Sequence, residues 1–125
     1  PLDMEKIRSM PGITVYMVKQ GDIIKVSLDP TAGHEQAGYR PAVVISNDFF
    51  NKKTNLVIVC PITNTNNRFP LHIPLDDRTA TTGVILCEHI RTLDLNSRPH
   101  TVVESLPQDM LRKVIDTVFA ELELK

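Results

Sequence analysis

Short apolar runs separated by turn-forming residues fill the chain from Gly21 onward. Many of these runs are rich in Val, Ile and Leu, and some alternate apolar with polar positions, which is typical of β-strands. Clusters of Asn, Asp and Pro fall in the gaps and indicate turns. Several short strands with this spacing favour a small barrel or a sandwich. The pattern predicts strands over 22–28, 42–46, 55–63, 71–75, 83–94 and 100–105.

The periodicity changes near the C-terminus, where it predicts an amphipathic helix. Ser105 is expected to cap this helix, with Gln108 as its capping-box partner and Pro107 in the first turn. The helix is expected to pack on the strands, and part of its apolar face can serve a second copy of the chain or another partner. That face is formed by apolar residues at helical spacing: Leu111, Val114, Ile115, Val118, Phe119 and Leu122.

The composition is that of a small globular protein. The chain has 125 residues, of which 42% are hydrophobic, and this suggests one domain with one core. The formal net charge is -1 and the sequence pI is about 6.5, so binding to RNA or DNA would require a local basic patch. No apolar run approaches the roughly 20 residues that span a bilayer, so no membrane partner is expected.

The cysteines and the N-terminal residues carry no clear chemistry. Cys60 and Cys87 lie inside apolar runs, and we interpret them as reduced core thiols of a cytoplasmic protein. No Cys/His spacing points to a structural zinc site, and no metal or cofactor is expected. Residues 1–18 are interpreted as an N-terminal extension of unknown role, within which 13–18 can add an edge strand, and residues 19–125 as the domain.

Three segments followed by the C-terminal helix carry a more specific signal. The first, "GDIIKVSLDPTAGHEQAGYRPAVVIS" at 21–46, combines a GDI strand, a DP turn, a G-x-E-Q loop and an R-P-x-x-V strand. The others are "VCPIT" at 59–63 and "GVILCEHIRTLDLNSR" at 83–98. In this order, over about residues 19 to 123, these features resemble the PemK/MazF toxin family.

The resemblance implies both a fold and an activity. The implied fold is mainly β, a small SH3-like barrel of the PemK/MazF/CcdB type with a C-terminal amphipathic helix, usually a homodimer. The implied protein is the toxin of a type II toxin-antitoxin system, which a cognate antitoxin holds inactive. Its implied activity inhibits growth: as an mRNA interferase, a sequence-specific endoribonuclease, it would cut single-stranded RNA without a metal ion and leave 2′,3′-cyclic phosphate and 5′-hydroxyl ends.

RNA cleavage without a metal uses the 2′-hydroxyl of the substrate as the nucleophile, and negative charge builds on the phosphoryl oxygens. Arg40 is expected to stabilise this charge because its planar guanidinium stays protonated, and Pro41 favours an extended backbone at Arg40. Thr63 matches the threonine of the family and can hydrogen-bond the scissile phosphate. The simpler interpretations are a solvated arginine after a loop and a threonine that is only a good strand residue.

Two further residues are candidates for proton transfer. His34 can titrate near neutral pH, and a loop histidine without a catalytic role fits its position as well. Glu88 matches an acidic position in some branches of the family. Those branches carry an arginine two residues earlier, where this chain has Leu86, and this difference places more of the cationic role on Arg40.

Residues of two loops are candidates for RNA binding. The first two match the E-Q of the family loop and are expected mainly to hold the loop or Arg40 in place. The others belong to a polar segment that ends in an aromatic residue, where unpaired bases can stack and hydrogen-bond to amides. An ordinary turn explains that segment equally well. The predicted RNA-binding residues are Glu35, Gln36, Asn64, Thr65, Arg68 and Phe69.

Alternatives of other classes stay open. A CcdB-like toxin of the same barrel type would bind a topoisomerase without enzymatic activity, and a relative that has lost activity would only bind RNA. Arg40 and Thr63 in their family context favour the nuclease. Lys52, Lys53 and Arg91 can contact phosphates, although scattered basic residues are usually plain surface.

Overall fold

We describe the protein from a computed structural model, over residues 18–31, 33–35, 37–65 and 69–124. The predicted edge strand at 13–18 lies outside these residues except for Val18, which is buried. The strands in the described part are β1 Asp22–Ser27, β2 Tyr39–Val44, β3 Val57–Thr63, β4 His72–Pro74, β5 Val84–Leu86, β6 Arg91–Leu93 and β7 His100–Ser105. The helices are α1 Asp48–Thr54 and α2 Gln108–Leu122, and a short 3-10 turn, η1, covers Cys87–His89.

The strands form one antiparallel, barrel-like sheet. Their order is β4-β5-β3-β2-β1-β7, and β6 pairs with β3 on the same side as β5. Neighbouring residues of the central strands are buried on opposite faces, so these strands read as continuous apolar runs and not as strict alternation. Ile23 and Val43 join the core beneath α2, whereas Ile24 and Val44 join the core inside the curved sheet.

Helix α2 covers the first of these cores. Its C-terminal apolar residues extend beyond that core: Phe119 and Leu122 remain 67% and 65% exposed. No helix in the described ranges is long and apolar enough to cross a membrane. The buried residues of α2 are Met110, Leu111, Val114 and Val118.

The predicted capping box at the start of this helix is wrong. Ser105 is the last residue of β7 and lies opposite Asp22 of β1, so it belongs to the strand ladder. The helix begins at Gln108 after Pro107, and no side chain caps it. The Leu111 amide donates to the Pro107 carbonyl oxygen at 2.9 Å. Ser105 therefore pairs within the sheet, although the local sequence pattern predicted it as the helix cap.

Helix α1 was not predicted, because its start was interpreted as a turn. The Asn47 side chain caps it by accepting from the Phe50 amide at 2.8 Å, and Asn55 ends it with a left-handed backbone, φ 58°. Asn51 is the buried residue of this helix, and its amide group pairs with Ser46. A helix that buries a polar residue and no apolar stripe has no hydrophobic period to detect.

The segment 83–94, predicted as one strand, is two strands joined by η1. Ile62 of β3 lies opposite Ile85, whereas Val59 lies opposite Arg91. Between these two pairs β3 runs over three residues, whereas the segment opposite runs over six, from Ile85 to Arg91. The three additional residues of that segment form η1. Within this turn Cys87 stays in the core, whereas Glu88 and His89 line a cleft.

Candidate active site

The two main catalytic candidates lie on the same face of adjacent strands. Arg40 is in β2, and Thr63 is the last residue of β3. Ala42 pairs with Pro61 in the antiparallel register of these strands. Two residues farther along, side chains return to the same face, and continuing the register places Arg40 opposite Thr63.

Arg40 is exposed, and its own loop orients it. The Nε atom donates to the Ala37 carbonyl oxygen at 2.7 Å. Within the described part of the chain, the two terminal nitrogens of the guanidinium have no hydrogen-bond partner. They can therefore present two parallel donors to phosphate oxygens.

Thr63 is held firmly at the end of β3. Its residue is only 7% exposed, and its Oγ1 accepts from the Thr65 amide at 3.2 Å. The hydroxyl proton can still be donated to another acceptor, such as a phosphate oxygen. Gly83 packs against the main chain of Thr63, because a Cβ built at Gly83 would lie 2.4 Å from the Thr63 carbonyl oxygen. The sequence marks Gly83 only as the start of a predicted strand, and this close contact was not predicted.

The β1–β2 loop contributes to a cleft whose lining includes Pro61, two residues before Thr63 in β3. His34 and Glu35 of this loop are exposed, and Gln36 lies outside the described residues. Glu35 lines a cleft of about 160 Å³, together with Pro61 of β3 and Glu88 of η1. The fold therefore brings two of the predicted acidic residues to one cleft, from segments far apart in the chain.

A histidine that sequence analysis missed holds Glu88. The Nε2 atom of His72 lies 2.7 Å from Oε2 of Glu88. The side chain of His72 is 6% exposed and that of Glu88 is 27% exposed. A largely buried histidine therefore holds a carboxylate that lines the cleft. The ring of Phe69 meets that of His72 edge to face, with centroids 5.6 Å apart. His72 lies on a different strand, and no local motif marks it.

A second groove lies on the opposite face of the sheet. It has a volume of about 390 Å³ and is lined by Lys25 of β1, by Asn64 and by the β4–β5 loop. The Asn64 Oδ1 atom accepts from the Thr82 hydroxyl at 3.1 Å. Thr65 is exposed beside it, and Arg68 lies outside the described residues.

The β4–β5 loop is held at two points, which gives the second groove a defined wall. Glu104 of β7 accepts from the amides of Ala80 and Thr81 at 3.0 and 2.8 Å. Burial opposes ionisation of Glu104, but its hydrogen bonds outweigh this and lower the pKa of the carboxyl. Arg78 reaches Asp109 of α2 at 2.8 Å, and this contact lowers the pKa of Asp109.

The two cysteines are buried free thiols, as predicted. The hydrogen bond between them, and then burial, raise the pKa of Cys60, so Cys60 stays protonated and unreactive. Among the residues that the structure describes, no group of three His, Cys, Asp or Glu side chains converges as a metal site requires.

Three comparisons with known proteins identify relatives of this chain. The family of PemK-like, MazF-like toxins of type II toxin-antitoxin systems matches residues 19–120. The endoribonuclease PemK of Escherichia coli is 37% identical over 102 residues, which are 78% of this chain and 77% of that protein. The Form-I crystal structure of MazF from Deinococcus radiodurans has a TM-score of 0.80 at 33% identity, covering 86% of this chain and 97% of that one. The Form-II crystal structure of MazE-MazF from the same organism has a TM-score of 0.74 at 32% identity, with the same coverage.

These matches confirm the predicted barrel-type fold with a C-terminal helix and the predicted endoribonuclease activity. They give no support to the topoisomerase-binding alternative. The chain belongs to the family of PemK-like, MazF-like toxins of type II toxin-antitoxin systems.

Proposed function

We propose that this endoribonuclease toxin cleaves single-stranded RNA, chiefly mRNA, at a short recognition sequence in the cytoplasm and without a metal ion. The placement of Arg40 and Thr63 on one face, at the ends of adjacent strands, is the observation that supports it most. In this proposal residues 19–125 form the toxin domain, and residues 1–18 are an extension with no assigned role.

The proposed chemistry is an attack within the substrate. A base removes the proton of the 2′-hydroxyl, its oxygen attacks phosphorus, the bond to the 5′-oxygen breaks, and that oxygen takes up a proton. The products are a 2′,3′-cyclic phosphate and a 5′-hydroxyl. Arg40 donates to the phosphoryl oxygens as their charge develops, and Thr63 donates its hydroxyl to the same phosphate. Neither residue has to change its protonation state.

Proton transfer is assigned to groups around the cleft. Glu88 faces the cleft and is held by His72 at 2.7 Å, so its carboxylate is positioned before the substrate arrives. His34 is an exposed group on the adjacent loop and is the second candidate for proton transfer. Glu35, on the other wall, is assigned to holding the loop and contacting the RNA.

The RNA bases are proposed to lie along the loops that flank the site. Phe69 is 46% exposed and offers a ring for stacking. Asn64 and Thr65 offer polar groups at the end of β3, Asn64 in the second groove, and Gln36 and Arg68 complete the proposed binding set. Stacking tolerates any base, so the choice of recognition sequence is assigned to the amide groups.

The proposed protein partner is a cognate antitoxin. Toxins of type II systems act with an antitoxin, and the solved MazE-MazF structure of Deinococcus radiodurans supports this for a relative. We place the C-terminal segment of the antitoxin over the RNA groove, where it would exclude the substrate.

A second copy of the chain is proposed to cover the apolar end of α2, giving a homodimer. Phe119 and Leu122 continue the apolar stripe of the helix past the chain's own core and are mostly exposed. They line a groove of about 230 Å³ whose other wall includes Ile45 and Ile58. A symmetric dimer is the commonest way in which a small protein covers such a face.

Phe119→Asp is expected to shift the protein from a dimer to a monomer near 14.1 kDa at micromolar concentration. The introduced carboxylate would have to be buried against an apolar face without a partner, which is strongly unfavourable. Light scattering coupled to size exclusion measures the mass. Phe49→Asp, at an aromatic residue of α1 that is 71% exposed, is the matched control and should leave the dimer intact. A monomeric wild type, or a Phe119→Asp variant that remains dimeric, would contradict this interface.

Cleavage is expected to survive an excess of EDTA and to leave cyclic phosphate and 5′-hydroxyl ends. The proposed mechanism uses only side chains and the substrate hydroxyl, and a two-metal site would need a carboxylate or histidine cluster. The measurement is end mapping of one defined RNA after incubation with and without EDTA. Activity that returns only with added Mg²⁺, or 5′-phosphate ends, would rule out the proposed chemistry.

A further inference from the structure

Arg91 binds the first residues of the β1–β2 loop. This residue lies in β6, opposite Val59 of β3. Its Nη1 donates to the Leu28 carbonyl oxygen at 2.5 Å, and its Nη2 donates to that of Pro30 at 3.2 Å. Both terminal nitrogens therefore bind the protein's own backbone. From the sequence, Arg91 was a candidate for contacting phosphates.

Arg98 binds the same segment from the connection between β6 and β7. Its Nη1 donates to the Ser27 carbonyl oxygen at 2.9 Å and to that of Asp29 at 2.5 Å. Together the two arginines serve the four successive carbonyls of residues 27–30. Arg98 was not among the predicted functional residues.

The backbone at this point needs such donors. After Ser27 the chain leaves the β1–β2 ladder, so its carbonyls lose their strand partners, and backbone acceptors near a protein interior are rarely left unpaired. A guanidinium presents several donors in one plane, and one side chain can serve two carbonyls. A lysine has a single nitrogen at the end of a flexible chain and cannot place two nitrogens on two carbonyls as Arg91 does. We call residues 27–30 the gripped segment.

The gripped segment is connected to Arg40 through the base of the loop. The Leu28 amide donates to the Gly38 carbonyl oxygen at 2.9 Å, and the Gly38 amide donates to Oδ1 of Asp29 at 3.1 Å. The adjacent Ala37 carbonyl oxygen accepts from Nε of Arg40 at 2.7 Å. The direction of the Arg40 guanidinium thus depends on where the gripped segment lies.

We propose that Arg91 and Arg98 are positioning residues for RNA cleavage: they fix the start of the β1–β2 loop and thereby aim the Arg40 guanidinium at the scissile phosphate. The inference rests on the proposed function, in which Arg40 stabilises the transition state. A misplacement of about 1 Å in a preorganised site can cost about 10²-fold in rate. Loss of either arginine is therefore expected to lower kcat by about 10- to 10²-fold and to leave KM nearly unchanged.

The first test is steady-state cleavage of one defined RNA by Arg91→Gln, Arg91→Lys and Arg98→Gln. All three variants should lose kcat, and Arg91→Lys should lose nearly as much as Arg91→Gln, because the two-carbonyl geometry is absent in both. Arg112→Gln, at an exposed arginine of α2, controls for the lost charge and should cleave like wild type. An Arg91→Lys variant that keeps wild-type kcat, with a raised KM in Arg91→Gln, would show phosphate binding by charge and overturn the proposal.

A double-mutant cycle separates positioning from general damage. If Arg91 acts through Arg40, then adding Arg91→Gln to Arg40→Ala should cause little further loss of kcat. Multiplicative losses would mean that the two residues act independently and would overturn the proposal.

Amide exchange of the loop tests the grip without using activity. The amides of Leu28 and Gly38, which close the base of the loop, should exchange at least about tenfold faster in Arg91→Gln than in Arg112→Gln. Unchanged exchange, or faster exchange with wild-type kcat, would overturn the proposal. If Arg40→Ala cleaves like wild type, the proposed function fails. The exchange measurement still determines whether Arg91 fixes the gripped segment. If Arg91→Gln does not fold, Arg91→Lys and Arg98→Gln provide the same comparison.

Discussion

Arg40→Ala is expected to slow RNA cleavage by about 10²–10³, the loss typical of removing one fixed donor from a preorganised charge-stabilising site. The loss should fall on kcat, because the charge that Arg40 meets develops in the transition state. Arg40→Lys keeps the positive charge but not the two parallel donors, so it should show a smaller and still clear loss. Single-turnover cleavage of one defined RNA by wild type and both variants measures this directly.

The control for this experiment is Arg112→Ala, which removes the same charge from an exposed position on α2. Thermal melts run alongside, and the stability of each variant should change by only about 0.5 kcal/mol, since both side chains are exposed. If Arg40→Ala cleaves within a factor of about three of wild type, Arg40 is an ordinary loop arginine and the site assignment fails. If instead it unfolds, Arg40 has a structural role, and Arg40→Lys becomes the kinetic test.

Gly83→Ala is expected to destabilise the protein by about 3–5 kcal/mol, from the sum of backbone strain and a steric clash. Gly83 has φ +117°, a backbone angle that residues with a Cβ rarely adopt. A Cβ added there would lie 2.4 Å from the Thr63 carbonyl oxygen. That oxygen belongs to the main chain of β3 and cannot move aside without shifting the strand. The melting temperature should fall by more than about 10 °C.

Gly38→Ala separates the two contributions to this loss. Gly38 also has a positive φ, +83°, but a Cβ there would meet no atom within 4 Å. It should therefore show only the conformational cost of roughly 1–2 kcal/mol. Equal melting temperatures for the two variants would mean that the contact with β3 contributes nothing to the stability of this region.

Strands were predictable from the sequence where buried residues are neighbours along the chain. β1 and β3 lie within predicted runs, because their buried side chains follow each other along the chain. The stripe of α2 was visible for the same reason. β7 also matches its predicted run, although none of its residues is buried. Helix α1 gave no signal, because Asn51 and not an apolar face is what it buries. The division of 83–94 into two strands depends on β3 changing partners, which is a property of another segment.

The candidate active site was likewise only partly predictable from the sequence. Arg40 and Thr63 were found through short motifs, and they remain predictions until the kinetic tests above are made. Their shared face was not visible, because it depends on the register between β2 and β3. The roles of His72 and Arg98 were not predicted either. Each acts on a residue from a distant part of the chain, and local patterns carry no information on such pairs.

The sequence by itself determined the fold class, the apolar stripe of α2 and the family, because strand and helix periods and contiguous motifs are local properties. Tertiary structure alone decided that Ser105 belongs to a ladder, that η1 turns Glu88 toward the cleft, and that Arg91 binds backbone carbonyls. The physical reason is that hydrogen-bond donors and acceptors are satisfied by whatever the folded chain brings within about 3 Å, and sequence separation does not limit that choice.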